Sequence, residues 1–380
     1  MQTVGIICEY NPLHRGHEKQ LRLVRQLGGE GIVCLMSGNF VQRGAPAIID
    51  KSLRAAAAME CGADLVLELP LTAALSSAEG FAREGVRLLG GFCDTLCFGA
   101  ETADSALLLS AAETLLSDDF SPALRQQLDK GLSFPVARSH ALAQLGMDPS
   151  ILDTPNNILG VEYCKAILAS GCGMKPMVIL RGGDYHATDA DPDNPSATAI
   201  RQRMIGEESW ESLVPEAVRS IFRGASVHTL AAGERAVLAR LRTMRDEDFE
   251  ALPYGSEGLW RKLMHLSRTL TDLEQIAAGV KSKRYTRTRI DRMILCAFLG
   301  LTEDMLASPA PYTRVLAFND TGRKILKQAR QTGSYPNIGE KLAHPYEALE
   351  NRSDDLYGLF ATTLEPAGLA NSRRVIYKNP

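Results

Sequence analysis

Two histidines, His14 and His17, stand three residues apart near the start of the chain, with Arg15 and Gly16 between them. A neutral imidazole donates one hydrogen bond and accepts another, and it takes up a proton close to neutral pH. Gly16, with no side chain, lets a flat ring or a phosphate come close to the backbone. The trio therefore points to chemistry on a phosphate, with ATP as the ligand and its α-phosphate as the target. A plainer reading stays open, in which the two imidazoles only cap a helix. The surroundings of the motif favour the nucleotide.

Those surroundings are a strand and a helix. Val4 to Cys8 is a short apolar run with the length and β-branched content of a buried strand. Asn11-Pro12 breaks it, because proline fixes φ and offers no N–H to a ladder. From His17 to Leu27, Leu21, Val24 and Leu27 recur at helical spacing. A strand, a sharp loop and a helix N-terminus in succession present backbone N–H groups to an anion.

The first half repeats this alternation. Gly31 to Met36 reads as a second strand, Phe40 to Gly44 as a polar loop and Asp50 to Cys61 as a helix. Leu65 to Leu69 is a third strand, Ser76 to Leu89 a helix and Thr95 to Phe98 a fourth strand. Strands separated by helical segments of this length give a Rossmann-like α/β domain, a parallel sheet with helices on both faces. Ligands of such sheets bind beyond the carboxyl ends of the strands. His14, Asn39 and Gly99 all fall just after expected strands. Residues 103–150 are alanine- and leucine-rich helices that read as an insertion packed on the sheet.

Thr154 and Pro155 then suit the cap and first position of a helix. Asn156 and Asn157, beside them, suit a hydrogen-bonded turn and recognition of a base or ribose equally well. A fifth strand, Met177 to Leu180, runs into Arg181-Gly182-Gly183-Asp184-Tyr185-His186. Ser196 or Thr198 is placed to cap the next helix, with Arg201 one turn inside it. Hydroxyls, free N–H groups and a guanidinium at a helix start form a site for outer phosphates.

In order along the chain stand G-I-I-C-E-Y-N-P-L-H-R-G-H, S-G-N-F-V-Q-R-G-A-P-A-I-I-D-K, A-D-L-V-L-E-L-P, F-G-A-E, P-N-N-I-L-G-V-E-Y and S-A-T-A-I-R. Together they resemble the bacterial tRNA(Met) cytidine acetate ligase family, within the nucleotidyltransferases related to class I aminoacyl-tRNA synthetases. The likeness continues through Lys283 to Ile290 and Tyr312 to Asn319, and so covers most of the chain. Cys8 and Ala45 depart from it, standing where a β-branched residue and an acid are expected.

The resemblance implies activation of acetate by ATP to acetyl-adenylate. The acetyl group then passes to N4 of the wobble cytidine of elongator tRNA(Met). Carried over residue by residue, it implies an ATP site at Ile7, Cys8, Glu9, Tyr10, Asn11, Pro12, Leu13, His14, Arg15, Gly16, His17, Glu18, Lys19 and Gln20, and at Gly99, Asn156 and Arg181. His14 and His17 would be catalytic, Ser196, Thr198 and Arg201 phosphate-binding, and Mg²⁺ would help neutralise the phosphates through ligands that the residues do not reveal.

The 380 residues suggest two domains, taken as 1–225 and 226–380. The net charge of −3 is unevenly spread: 19 Lys+Arg against 27 Asp+Glu up to residue 225, and 23 against 18 beyond it. An acidic catalytic part followed by a basic, α-helical part fits a polyanionic acceptor. The densest cluster, Lys281, Lys283, Arg284, Arg287 and Arg289 around Tyr285, with Arg292 beyond it, is expected to contact tRNA, the tyrosine stacking on an unpaired base. Arg323, Lys324, Lys327 and Arg330 form a second group at helical spacing. Eight scattered cysteines without a CxxC pair suggest neither zinc nor a disulfide framework. No apolar run reaches the ~20 residues that span a bilayer. A cytoplasmic enzyme with no secretory signal, no membrane partner and no implied protein partner is expected. H-x-G-H alone would equally allow a small-molecule adenylyltransferase moving AMP onto a phosphorylated metabolite.

Overall fold

The first apolar run forms β1 (Thr3–Cys8), and the loop through Asn11 and Pro12 leads into α1 (Arg15–Gln26), which buries Leu21 and Val24. The architecture is that of a computed structural model describing residues 1–181, 195–329, 331 and 333–379. Gly182 to His186 and Arg330, singled out above, lie outside the described residues. β2 (Gly31–Ser37) is buried along its whole length. Its Val33 and Leu35 face one layer of the protein and its Ile32, Cys34 and Met36 the other, so an unbroken apolar run results.

The stretch expected as a loop is instead a small hairpin, β3 (Phe40–Val41) antiparallel to β4 (Ala45–Pro46). Strands of two residues are too short to leave an alternation pattern. α2 (Lys51–Glu60), β5 (Leu65–Leu69), α3 (Leu71–Ala74), α4 (Ala78–Leu89) and β6 (Thr95–Ala100) follow. The helical insertion is α5 (Ser105–Leu116), α6 (Phe120–Leu128) and α7 (Phe134–Gln144), and α8 (Pro155–Ser170) returns to the sheet beside α4. β7 (Lys175–Leu180), α9 (Ala197–Ile205) and α10 (Glu216–Phe222) end the first part.

Beyond residue 225 come α11 (Leu230–Thr243), α12 (Asp246–Glu250), α13 (Leu259–Thr269), α14 (Leu273–Val280), α15 (Arg287–Leu299) and α16 (Glu303–Ala307) around a second apolar core that also takes in Phe40 and Leu75 of the first part. The chain then departs from the all-helical expectation. β8 (Val315–Phe318) pairs antiparallel with β5, and after α17 (Asp320–Ala329) and α18 (Pro345–Tyr357), β9 (Ile376–Tyr377) pairs with β8. Four apolar residues whose strand partner lies far upstream carry no local signal of a strand. Among the described residues no helix is long and apolar enough to cross a membrane.

The main sheet has the order β7-β6-β1-β2-β5-β8-β9. From β1 the chain first builds outward through β2 and β5, then crosses back to place β6 on the other side of β1, all in parallel. The β1–β6 junction is therefore the topological switch point, where adjoining loops diverge and leave a crevice.

One buried cation fixes the loops at that edge. Arg54, on α2, is wholly buried. Its guanidinium donates to the carbonyls of Ile49 at 2.8 Å, Glu9 at 2.6 Å and Ser37 at 3.0 Å, and to that of Gly38. The loops after β1, after β2 and before α2 are thus tied to one side chain. Beside it, Lys51 pairs with Glu68 at 2.7 Å and Asp354 at 3.0 Å, while Arg373 pairs with Asp50 at 2.7 Å. Asn39 donates to Asp50 and Asp354, so α18 and the C-terminal segment are fastened to the end of β2.

Arg54→Leu would leave those carbonyls buried without their donor, at about 1–3 kcal/mol each. Urea denaturation is expected to show a loss of about 4 kcal/mol or more. A loss below about 1 kcal/mol, the value of an ordinary hydrogen bond, would show that the anchor is dispensable.

Candidate active site

His14 is the N-cap of α1 and is 3% exposed. Its Nδ1 accepts the Gly16 N–H at 3.1 Å, and the His17 Nδ1 accepts the His14 N–H at 3.2 Å. Both capping roles are thus real, and they have a chemical consequence. With each Nδ1 occupied as an acceptor, each neutral ring must carry its proton on Nε2. The rings stack with centroids 3.8 Å apart, and Tyr10 packs against His17 at 4.9 Å. Burial, and the charges of Arg181 and Arg201, push the His14 imidazole down to about 3. Burial, His14 and Arg181 push His17 down as well. The pair is therefore a neutral, paired Nε2–H donor set at pH 7.

The histidines line a cleft of about 440 Å³ at the β1–β6 junction. Ile7, Cys8, Glu9, Tyr10, Asn11, Gln20, Gly99, Asn156, Arg181, Ser196, Thr198 and Arg201 line it too, although they span nearly two hundred residues of sequence. The polar ones are aimed by specific contacts. The Glu9 carboxylate accepts the Gln42 N–H at 2.7 Å, and the Asn11 amide oxygen accepts the Ile48 N–H at 2.7 Å. Arg201 reaches from α9 to the Asn11 carbonyl at 2.7 Å and to the Thr198 hydroxyl at 3.0 Å. Ser196 caps α9 by accepting the Ala199 N–H at 3.0 Å.

Arg181, just past β7, donates to the Asn156 amide oxygen at 3.2 Å, and the Asn156 amide donates to Glu101 at 2.6 Å. Burial opposes ionisation of Glu101, but hydrogen bonds from Asn156, Thr154 and the Asn157 backbone hold its carboxyl below the usual range. Asn156 thus relays between an acid and a cation at the cleft wall. Asn157, by contrast, is a turn residue that exchanges two hydrogen bonds with Thr102. Thr154 does not cap α8 with its side chain as expected: its hydroxyl goes to Glu101 at 2.8 Å, a stronger charged acceptor.

The cleft's electrostatics are set by three guanidiniums. Arg181 and Arg201 are each lowered first by burial, and the charge of Arg43 lowers both further. Like charges brought into mutual range in a half-buried cleft are stabilised by a bound polyanion.

Other expected positions lie elsewhere. Pro12 and Leu13 are buried, Lys19 is exposed, and Arg15, Gly16 and Glu18 do not line the cleft. Asn39 is 3% exposed and serves the ion network under the loop. Gly99 sits inside β6 and not after it, because the strand runs two residues further than its apolar pattern. Among the lining residues that sequence reading left out of the site are Arg43 and His228. Arg43 is held at the tip of the β3–β4 hairpin, whose Gly44 (φ +81°) lies so close to α15 that an added Cβ would sit 2.4 Å from the Arg292 nitrogen. The S-G-N-F-V-Q-R-G block was the available signal. His228 stacks on Tyr357 at 3.9 Å, a contact between distant segments that nothing local announces.

The basic cluster is a separate surface between α14 and α15. Its arginines are engaged within the chain: Arg284 with Glu257 at 2.9 Å, Arg287 with Glu274 and with Asp291 at 2.7 Å, and Arg289 with the Tyr254 carbonyl at 3.0 Å. Arg289 also lies 4.9 Å over the Tyr285 ring, and the Tyr285 hydroxyl donates to Glu257. Lys281 and Lys283 are exposed and form no ion pair among the described residues.

Residues 1–369 match the family described as HIGH Nucleotidyl Transferase. The tRNA(Met) cytidine acetate ligase of Clostridium novyi is 38% identical over 357 residues, spanning 88% of this chain and 89% of that protein. That of Syntrophotalea carbinolica is 36% identical, spanning 96% and 91%. Among solved structures, Thermotoga maritima TmcAL without ligand superposes with a TM-score of 0.90 at 30% identity, with both chains fully covered. The same protein bound with α-thio ATP gives 0.88 at 29% identity, again over both chains in full.

The low imidazole value sets a pH dependence. The unfolded chain binds a proton at His14 near its ordinary 6.5, whereas the folded chain resists until about 3. Stability is therefore full above pH 6.5 and falls as pH drops towards 3, by about 1.4 kcal/mol per unit for one such group. Nitrogen-detected NMR of the free protein should show Nε2–H tautomers for both histidines, with no titration of His14 between pH 5 and 8. A charged imidazolium at pH 6 would refute this.

Proposed function

The chain belongs to the tRNA(Met) cytidine acetate ligase family of HIGH nucleotidyl transferases, and on that premise we propose that it activates acetate with ATP and passes the acetyl group to the wobble cytidine of elongator tRNA(Met). The observation that carries the reading is the convergence in one cleft of two neutral Nε2–H donors and three guanidiniums. That is a receptor for a triphosphate.

Acetate is ionised at pH 7, so its attack on the α-phosphorus requires no general base. One acetate oxygen bonds to phosphorus, the bond to the bridging oxygen breaks, and pyrophosphate leaves with the electron pair. Negative charge grows on the phosphoryl oxygens and on the leaving group. His14 and His17 donate to the first; Arg43, Arg181 and Arg201, with Ser196 and Thr198 at the α9 terminus, suit the second. Donors already fixed by their own hydrogen bonds need no reorganisation when that charge appears. Asn156, held by Glu101 behind it, and Gly99, both beside Arg181, suit the nucleoside.

Among the described residues no group of three or more His, Cys, Asp or Glu side chains is placed to hold a metal. Among the described residues three arginines line the cleft against one carboxylate, Glu9, so Mg²⁺ would enter on the triphosphate, as it commonly does, and supply further charge neutralisation there. In the second half-reaction the cytidine N4 amine attacks the mixed anhydride and AMP departs, a step eased by preactivation and positioning. Residues 226–380 would dock the tRNA, with Lys281 and Lys283 on phosphates, the neighbouring Arg284, Arg287 and Arg289 framing the loop, and Tyr285 on a base. A tRNA acceptor suits a reaction in the cytoplasm.

His14→Ala and His17→Ala are each expected to slow acetate-dependent ATP–pyrophosphate exchange about 10²–10³-fold, the usual cost of one oxyanion donor. Near wild-type exchange in both would sink the assignment. For the acceptor, Lys281→Ala with Lys283→Ala should weaken tRNA binding and leave tRNA-independent exchange intact. The salt slope of binding should fall by about 0.7–0.9 for each phosphate no longer neutralised. An unchanged salt slope would move the docking surface elsewhere.

A further inference from the structure

We infer that the cleft holds a distinct carboxylate subsite for the acyl substrate, an apolar lobe closed by Phe81 and Phe98 in which the Tyr163 hydroxyl receives the carboxylate. This rests on the reading above that a small carboxylate is activated. Besides the histidines and guanidiniums, the cleft is lined by a group of aromatic and aliphatic side chains from one layer: Ile7 from β1, Phe81 from α4, Phe98 from β6, and Leu159 and Tyr163 from α8. These five belong to the layer between the sheet and α4 and α8, whereas Cys8 and Tyr10 turn into the opposite layer.

The lobe's walls are tightly braced. Phe98 and Tyr163 pack with ring centroids 5.2 Å apart. A Cβ added at Gly85 would meet Ile7 Cδ1 at 2.4 Å, and one at Gly160 would meet the Phe98 ring at 2.9 Å. Helices held this close leave little room for the lobe to widen.

Tyr163 is the exception in this apolar setting. It is 3% exposed, yet its hydroxyl is open to the cleft and makes no hydrogen bond among the described residues. Buried tyrosine hydroxyls ordinarily find a partner. Burial, reinforced by Cys8 and Glu9 nearby, pushes the phenol well up, so it remains a protonated donor. A donor held ready in an apolar lobe suits an anionic oxygen attached to a small apolar group. Acetate matches, with one methyl for the aromatic wall and one carboxylate for the hydroxyl. A purine does not, since its ring nitrogens and amine would be desolvated against a single hydroxyl.

Wild type and Tyr163→Phe are to be compared in ATP–pyrophosphate exchange with acetate, propionate and butyrate, with ATP affinity measured separately by calorimetry. Tyr163→Phe should raise the KM for acetate about ten- to a hundredfold, as expected for one hydrogen bond to a charged group, and leave ATP affinity unchanged. Phe81→Leu, which lengthens the lobe, should raise propionate use relative to acetate about tenfold. An unchanged acetate KM in Tyr163→Phe overturns the subsite while leaving the acetate reading standing. So does a loss of ATP affinity as large as the loss for acetate, which makes the lobe a nucleotide pocket. If wild type exchanges with none of the three carboxylates, the acetate reading itself falls, and the subsite with it.

Discussion

The loops that form the cleft at the sheet edge depend on a cation that never meets solvent. Arg54 gathers the carbonyls of Glu9, Ser37, Gly38 and Ile49 around one guanidinium. Parallel strands end in loops with unpaired carbonyls, and at a switch point those loops diverge. Without a central donor, each would turn towards water and the crevice would lose its shape. Burying a guanidinium is costly, and multiple charge-assisted hydrogen bonds are what make it tolerable. Once the loop after β1 is held, Asn11 and the His14 cap have a fixed origin, and Arg201 can reach the Asn11 carbonyl from α9.

The second half of the chain takes part in the site through two contacts of different kinds. Its ion pairs, Lys51–Asp354 and Arg373–Asp50, clamp the segment that follows β2. Its α15 backs the β3–β4 hairpin, where Gly44 approaches the helix and Arg292 donates to the Gln42 carbonyl at 3.2 Å. That hairpin carries Arg43 and meets Glu9. The helical half is therefore in direct contact, through α15, with the hairpin whose Arg43 lines the cleft. The cleft's lining combines three guanidiniums with aromatic and aliphatic side chains from the layer under α4 and α8.

Sequence reading went furthest where chemistry and local geometry coincide. His14-Arg15-Gly16-His17 sits in a strand–loop–helix unit whose period, proline break and cap are all local, so its position was legible. Ser196 as a cap and the parallel order of the first strands were legible for the same reason. Phe40 to Pro46 was not, because a hairpin of two-residue strands leaves no period. Nor was β8, whose strand state depends on β5 far upstream. The basic cluster shows the converse limit. Its composition is plain, but Glu257, Glu274 and Asp291, which engage Arg284 and Arg287, come from other parts of the helical half or the next helical turn.

The sequence by itself determined the type of chemistry: paired imidazoles at a helix N-terminus, following a buried strand, in a chain whose ordered motifs name a family. These are properties of residues within a few positions of each other, where spacing translates directly into geometry. Only the tertiary structure decided which groups share the cleft. Arg43 enters because a hairpin is pressed on α15, Asn39 leaves because it is needed to bridge Asp50 and Asp354, and Tyr163, its ring packed against Phe98, brings to the cleft a hydroxyl with no hydrogen bond among the described residues. Each outcome depends on packing between segments remote in sequence, and packing of that kind is set by the fold as a whole.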